Sequence, residues 1–156
     1  MTIRRAEEKD LSAVLRMLSQ VLEIHAAIRP DIFISGTTKY TEPELKEMFR
    51  DEETHVFVAV NDMDEAVGYA FCRLRVPPFS TTMHSRKSFF IDDLCVDEAC
   101  RGQHIGEALF RFAIDEAKRL GCADVTLNVW EGNTAALRFY QKMGMTPKET
   151  QMEFLL

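Results

Sequence analysis

Residues Arg101 to Leu109 read RGQHIGEAL. Two of the chain's seven glycines stand here, behind an arginine and at the mouth of an apolar helical run. Glycine costs stability inside a helix and serves where backbone must approach something closely. The residues before them, FFIDDLCV (89–96), form an extended run, and DEAC (97–100) makes a short acidic turn. The chain therefore passes from a strand into a helix N-terminus, where the first four N–H groups have no intrahelical partner. Free amides, the positive end of the helix dipole and a nearby arginine make an anion site that a phosphate can reach. A Walker A loop needs Lys then Ser/Thr after its last glycine, and a Rossmann turn needs three glycines with an acid about 20 residues on; neither is present. Taken alone, the pair reads equally well as a turn glycine at 102 and a packing glycine at 106.

Working outward, strand and helix signals alternate. TIRRA (2–6) is a short opening strand, and Asp10 is placed to cap a helix whose Leu11, Val14, Leu15, Leu18, Val21 and Leu22 recur at three-and-four spacing. Thr41, with Pro43 and Glu44 behind it, opens a short second helix. HVFVAV (55–60) and AVGYAFCRLRV (66–76) form a hairpin across NDMDE, and the paired prolines of PPFSTTMHS (77–85) exclude a central strand. KSFFIDDLCV (87–96) follows. After the glycine stretch, a helix with Ile105, Leu109, Phe112, Ala113, Ala117 and Leu120 on one face stops at Gly121. ADVTLNVW (123–130) is a further strand, NTAALRFYQKM (133–143) a helix closed by Gly144, and KETQMEFLL (148–156) a last strand. An antiparallel meander leading into a strand-helix-strand-helix-strand unit makes a mixed α/β sheet with at least one parallel pair and helices on both faces.

The bulk composition narrows the function. At 156 residues and 46% hydrophobic, with no linker or composition break, residues 1–156 are expected to form one domain. A net charge of −6 argues against a nucleic-acid partner, which needs a clustered basic surface. The charged start MTIRRAEEKDL has no signal core, and no run approaches the roughly 18 apolar residues of a membrane span, so the expected location is cytoplasmic, with no membrane partner. Cys72, Cys95, Cys100 and Cys122 form no CxxC pair and no zinc spacing with the four scattered histidines; free thiols and no metal are expected.

Arg101 and Gly106, preceded by DLCV and followed by NTAALRFYQKMGM, resemble the GNAT superfamily of acetyl-CoA-dependent N-acetyltransferases over essentially the whole chain. The family motif Arg/Gln-x-x-Gly-x-Gly/Ala falls on Arg101, Gly102, Gln103, His104, Ile105 and Gly106, and the resemblance implies that these amides, with Glu107 beside them, hold the pyrophosphate of coenzyme A. His104 stands where the family has its first motif glycine. The second signature, Asn-x-x-Ala-x-x-x-Tyr-x-x-x-Gly-aromatic, matches Asn133, Ala136, Tyr140 and Gly144, with Met145 in the aromatic place. Asn133 and Tyr140, seven residues apart, share a helix face about 20° apart and roughly 10 Å along the axis. The resemblance gives Asn133, Ala136 and Asn128 to the coenzyme and Tyr140 to the thioester sulfur. It also implies a sheet of six to seven strands whose fourth and fifth splay apart, with Leu94, Cys95 and Val96 pairing through backbone with the pantetheine arm. Asn133 reads equally as a helix N-cap, and Tyr140 as a core aromatic beside Phe139.

Acetyl transfer to an amine needs a proton acceptor, because an alkylamine near pKa 10.4 arrives mostly protonated. Asp92 and Asp93 stand back to back, and strand alternation sends them to opposite faces. The resemblance favours Asp92 as the base, with Asp93 second and a water relay as the alternative. Val96 would offer an amide to the oxyanion, and Tyr140 a proton to the departing thiolate. The first two helices and the 77–85 loop would supply the acceptor pocket, with His25, Asp31, Phe33 and Phe79 as candidates. The acceptor is then a primary amine of a small molecule or a protein, and a homodimer is possible. A non-catalytic coenzyme A binding module of the same fold is the alternative.

Overall fold

The computed structural model describes all 156 residues. Five strands, β1 (Thr2–Arg5), β2 (His55–Val60), β3 (Ala66–Arg75), β4 (Ser88–Val96) and β5 (Asp124–Leu127), form one open sheet in chain order. The first four are antiparallel neighbours, and β5 joins β4 in parallel. Helices α1 (Leu11–Ile28), α2 (Glu42–Arg50), α3 (Ile105–Arg119) and α4 (Thr134–Lys142) cover it. The parallel pair follows from α3, a crossover helix, standing between β4 and β5.

β2 shows how the sequence distributes the core. Val56, Val58 and Val60 face α1 and α2 and pack in one cluster with Val14, Met17, Leu18 and Leu45. Phe57 and Ala59 face the other way, into a second cluster with Ile105, Leu109, Phe110 and Ala113 of α3. Every residue of β2 is buried, because helices lie on both faces.

Three local expectations need correction. The sheet has five strands, not six to seven: Lys148–Leu156 belongs to no strand and is exposed. Asp10 precedes α1 without capping it; its carboxylate takes two bonds from Arg4, at 2.7 and 3.0 Å, and one from the Glu7 amide at 2.8 Å. The helical stretch Glu8–Ile28 contains a window of 18 residues long and apolar enough to cross a membrane by length and composition. Its apolar stripe of Leu11, Val14, Met17, Leu18 and Leu22 is nonetheless buried against the sheet. Thr41 caps α2 as expected, its hydroxyl accepting from the Glu44 amide while its own amide donates to the Glu44 carboxylate at 2.7 Å.

Candidate functional site

β4 and β5 pair only from Ser88/Asp124 to Ile91/Leu127. β4 then continues for five residues, Asp92 to Val96, along which β5 offers no partner. On its other edge the strand stays bonded to β3, and Asp97 donates its amide to Val67 at 3.0 Å. Antiparallel residues alternate in the side to which they turn their N–H and C=O. The Val96 backbone is thus turned toward the opening, where its carbonyl accepts from Arg101 Nε at 3.3 Å. Cys95 differs: its side chain is buried, and burial pushes its thiol up to about 12. By the same alternation its backbone is turned to β3, opposite Tyr69, so of the three residues expected to meet the pantetheine arm only Leu94 and Val96 offer main-chain groups to the opening.

Beyond Val96 the chain turns through Asp97–Arg101 into α3. Gly102, at φ 79°, takes a left-handed conformation with nothing within 4 Å of where a Cβ would stand. His104 repeats this at φ 60° as the N-cap of α3. A left-handed L-residue is costly, so the position that holds glycine in the family motif needs glycine's backbone here too. The first helical bond of α3 runs from the Ala108 amide to the His104 carbonyl at 3.0 Å. The amides of Ile105, Gly106 and Glu107 accordingly have no intrahelical partner, and the loop before them is exposed. Free donors, the dipole and open space fit a phosphate-bearing coenzyme. Arg111 and His104 both reach the Glu107 carboxylate, at 2.9 and 3.4 Å, and these contacts lower its pKa from the ordinary value. Ile105 turns its side chain into the core. A Cβ on Gly106 would stand 3.5 Å from Phe139 Cζ and from Val96 Cγ2, an ordinary contact.

This end of α3 sits low on the sheet because of a glycine that carries no motif. A Cβ on Gly68 of β3 would stand 3.0 Å from the Cys95 carbonyl oxygen, 3.0 Å from Leu109 Cδ1 and 3.2 Å from Ile105 Cγ2. Such contacts are tighter than a packed interior tolerates. Gly68 thus sets the height of α3 over β3 and β4.

The two aspartates do not alternate. Phe71 pairs with Asp93 and Cys72 with Ile91, so Asp92 is the extra residue of a β-bulge. Both carboxylates consequently bond to tyrosines of the α1/α2 face: Asp92 accepts from the Tyr40 phenol at 2.8 Å and Asp93 from the Tyr69 phenol at 3.1 Å. Their electrostatics differ sharply. Burial pushes Asp92 upward, but hydrogen bonds from Lys39, 2.8 Å away, and Tyr40, together with the charge of Arg73, bring it below the ordinary carboxylate range. Asp93 has no such clamp, and burial raises it to about 6. Burial, then the nearby Asp92, raises the Tyr40 phenol to about 12.

Tyr140 stands beside Phe110 and Phe139, with ring centroids 6.0 and 5.1 Å away. Burial, then the negative charge of Asp93, pushes its phenol well above the ordinary value, and no hydrogen bond contributes. The charge of Asp93 is thus felt at both the Tyr69 and the Tyr140 phenols. Asn133 is the N-cap of α4, accepting from the Ala136 amide at 3.3 Å. Asn128 lies just past the end of β5 and is exposed.

The acceptor candidates divide. His25 and Phe33 meet, ring centroids 5.2 Å apart, and Phe33 meets Trp130 edge-on at 5.3 Å, so the α1–α2 connection closes on the segment after β5. Burial, then the charge of Lys39, lowers His25 below the ordinary imidazole value. Asp31 is bound to Arg29 at 2.7 Å and points along the surface. Phe79 is 93% exposed and joins none of them. Lys39, Tyr40, Tyr69 and Arg73 are the site residues that sequence reading missed. No three His, Cys, Asp or Glu side chains converge as a metal site requires, and the four cysteines are free thiols.

Comparison with known proteins agrees with this geometry. The family model described as "Acetyltransferase (GNAT) family" matches residues 18–145. A peptidyl-lysine N-acetyltransferase, YjaB of Salmonella typhimurium, is 38% identical over 103 residues, covering 65% of this chain and 58% of that protein. An uncharacterised N-acetyltransferase, YdgE of Bacillus subtilis, is 28% identical over 66% of this chain and 62% of its own length. The match therefore spans less than two thirds of these relatives. A crystal structure of a mutant of the BH1408 protein from Bacillus halodurans is 33% identical, with a TM-score of 0.95 over 100% of this chain and 99% of that one.

Proposed function

Because the chain belongs to the acetyltransferase (GNAT) family, we propose that it transfers the acetyl group of acetyl-CoA to a primary amine in a ternary complex. The observation that carries this is the opening where β4 outruns β5: α3 presents free amides at its mouth, and Tyr140 and Asp93 stand beside it. Acetyl-CoA supplies the thioester. The amides of Ile105, Gly106 and Glu107, with the Gly102 and His104 turns, hold its pyrophosphate; Arg101, Gln103, Asn128, Asn133 and Ala136 border it. Leu94 and Val96 pair with the pantetheine arm through backbone, as in β-strand addition.

The amine forms its bond to the acetyl carbon and passes a proton to a carboxylate. Asp93, at about 6, stays ionised at neutral pH yet is basic enough to accept a proton, whereas Asp92 is held by Lys39, Tyr40 and Arg73. The surroundings therefore favour Asp93 as the base and Asp92 as the group that fixes the acceptor wall. The Val96 amide meets the charge that develops on the acetyl oxygen. As the carbon–sulfur bond breaks, Tyr140 gives its proton to the sulfur.

The acceptor we favour is a lysyl or N-terminal amine of a protein. The loop from β3 into β4 leaves Val76, Phe79 and Met83 62, 93 and 66% exposed; it stands apart from the His25, Phe33 and Trp130 group, and its apolar surface suits a peptide that extends beyond the cleft. YjaB, a peptidyl-lysine enzyme by name, points the same way. A cytosolic location fits the four free thiols. Incubation with acetyl-CoA and a panel of lysyl peptides, polyamines and aminoglycosides, read as free thiol release, tests both statements. Turnover with peptides is expected. Turnover with small amines alone overturns the acceptor class, and coenzyme binding without thiol release from any amine favours the non-catalytic module.

A further inference from the structure

The chain carries 25 acids and a net charge of −6, yet the 26 residues from Ala66 to Ile91 hold four Arg or Lys and no Asp or Glu. Two of these cations are engaged on the β5 side, where Arg86 binds Asp124 at 2.7 Å and Lys87 donates to the Leu120 carbonyl at 2.7 Å. The other two, Arg73 and Arg75, stand two residues apart at the end of β3 and therefore share one face of the sheet. It is the face of Phe71, which packs in the α1/α2 cluster, and so the face to which Asp92 and Asp93 turn.

The two arginines are held as a reading surface. Arg73 donates to the Tyr40 phenol at 2.9 Å, and that phenol donates to Asp92, so the guanidinium borders the acceptor wall while its side chain stays 53% exposed. Arg75 is exposed and has no ion pair and no hydrogen bond of its own; its guanidinium carbon lies 3.4 Å from the centre of the Phe90 ring. Stacking fixes the plane of the fork and leaves its N–H edges free, the arrangement that meets a carboxylate with two parallel hydrogen bonds. Glu53 lines the shallow depression beside Arg73 and forms no ion pair with it.

We infer that Arg73 and Arg75 read acidic residues near the acetylated lysine, on an extended segment of the acceptor protein. This rests on the protein acceptor proposed above. Phe71 lies opposite Asp93, so Arg73 and Arg75 stand roughly 7 and 13 Å along β3 from the level of the base. Side chains on one face of an extended peptide recur at the same interval. A lysine whose amine meets Asp93 thus places its second and fourth neighbours over the two arginines. The exposed Val76 and Phe79 continue the surface beyond Arg75. The acidic remainder of the chain repels an anionic membrane, which leaves a short acidic segment as the partner these charges fit.

Fluorescent lysyl peptides with Glu, Ala or Arg at the second and fourth positions, on either side of the lysine, test this by anisotropy with coenzyme A present and by thiol release from acetyl-CoA. The Glu peptide should bind about 10-fold tighter than the Ala peptide at low salt, with the gap closing as salt rises. Arg75→Gln should shrink this preference and Arg75→Glu should turn it toward the Arg peptide, with acetyl-CoA affinity and circular dichroism unchanged. Equal binding of the three peptides, or an acid preference that survives Arg75→Glu, overturns the inference, and acetylation of those same peptides would leave the acceptor class standing. Acid-selective binding without thiol release upholds the reading surface and overturns the acceptor class instead. Arg75-dependent binding to phosphatidylserine vesicles with no peptide preference would assign the pair to a membrane and overturn the inference.

Discussion

Tyr69 donates its phenol to Asp93 at 3.1 Å, and this one bond is the only side-chain partner that Asp93 has, whereas Asp92 beside it is held by Lys39 and Tyr40. The bulge at Asp92 produces the contrast by turning both carboxylates toward the α1/α2 face while giving them different neighbours.

The first prediction joins activity and stability at Asp93. As a base it must be ionised, so the rate should fall as pH drops through about 6, and Asp93→Asn should abolish this acid limb along with most of kcat. The stability effect has the opposite sense. A carboxyl whose folded pKa is raised favours the fold below its unfolded pKa and loses that contribution as pH rises through the folded value. Between the ordinary 3.8 and about 6 this amounts to about 3 kcal/mol. Asp93→Asn should therefore melt higher than wild type at pH 8, with the difference shrinking toward pH 4. Asp92→Asn should instead melt lower at neutral pH, because it loses bonds that favour the charged form. Thermal melts across pH, beside a pH–rate profile, check all three; an Asp93→Asn protein with wild-type kcat would remove the base assignment.

Tyr140 offers a cleaner separation of catalysis from folding. Its hydroxyl contributes to no hydrogen bond within the chain, so Tyr140→Phe should leave the melting temperature nearly unchanged. A general acid acting on the departing thiolate is worth about 10² to 10⁴ in rate. The expected outcome is a kcat lower by that factor with acetyl-CoA affinity retained, measured by steady-state kinetics and by calorimetry. An unchanged kcat, with chemistry shown to be rate-limiting, would sink the role.

His104 carries a conformational cost that glycine would not. At φ 60° a side chain is strained by about 1 kcal/mol. His104→Gly should stabilise the fold by about that much, shifting the melting temperature by about 2–4 °C for a chain of this size, and it should bind acetyl-CoA at least as tightly. A destabilised His104→Gly protein would mean that the 3.4 Å contact to Glu107 outweighs the strain.

These predictions rest unequally on what was legible in the residues. The apolar spacing of α1 and α3, the β-branched run of β2 and the Thr41 capping box all act locally, so they were readable, and the parallel β4–β5 pair followed from an intervening helix. The bulge was not, because one extra residue in SFFIDDLCV leaves the strand pattern intact and shows itself only against the register of β3. Lys39 and Tyr40 were missed because they sit in a connection, SGTTKYTE, whose meaning comes from folding back over Asp92. KETQMEFLL has apolar residues at 152, 154 and 156 as a strand would, but such spacing does not supply a partner for its backbone, and no strand of the sheet pairs with it.

Gly68 gives the last prediction, and it tests how the sheet positions the cofactor loop. A methyl group there meets a backbone carbonyl, that of Cys95, at 3.0 Å, and two core side chains of α3. The carbonyl cannot rotate away without breaking the β3–β4 ladder, so relief must come from lifting the Ile105–Leu109 turn off the sheet. Overpacking of this kind costs about 1–3 kcal/mol, which denaturant unfolding of Gly68→Ala should show. The lift also displaces the free amides of Ile105, Gly106 and Glu107 from the Val96 end of β4. Acetyl-CoA should then bind more weakly in the fraction that remains folded, even though Gly68 lies on the far edge of β4 from the opening. Gly106→Ala is the control: its new methyl meets Phe139 and Val96 at 3.5 Å, an ordinary contact, and it should leave stability nearly unchanged. A Gly68→Ala protein as stable as wild type and with full coenzyme affinity would show that α3 is placed by its own packing and not by the missing side chain beneath it.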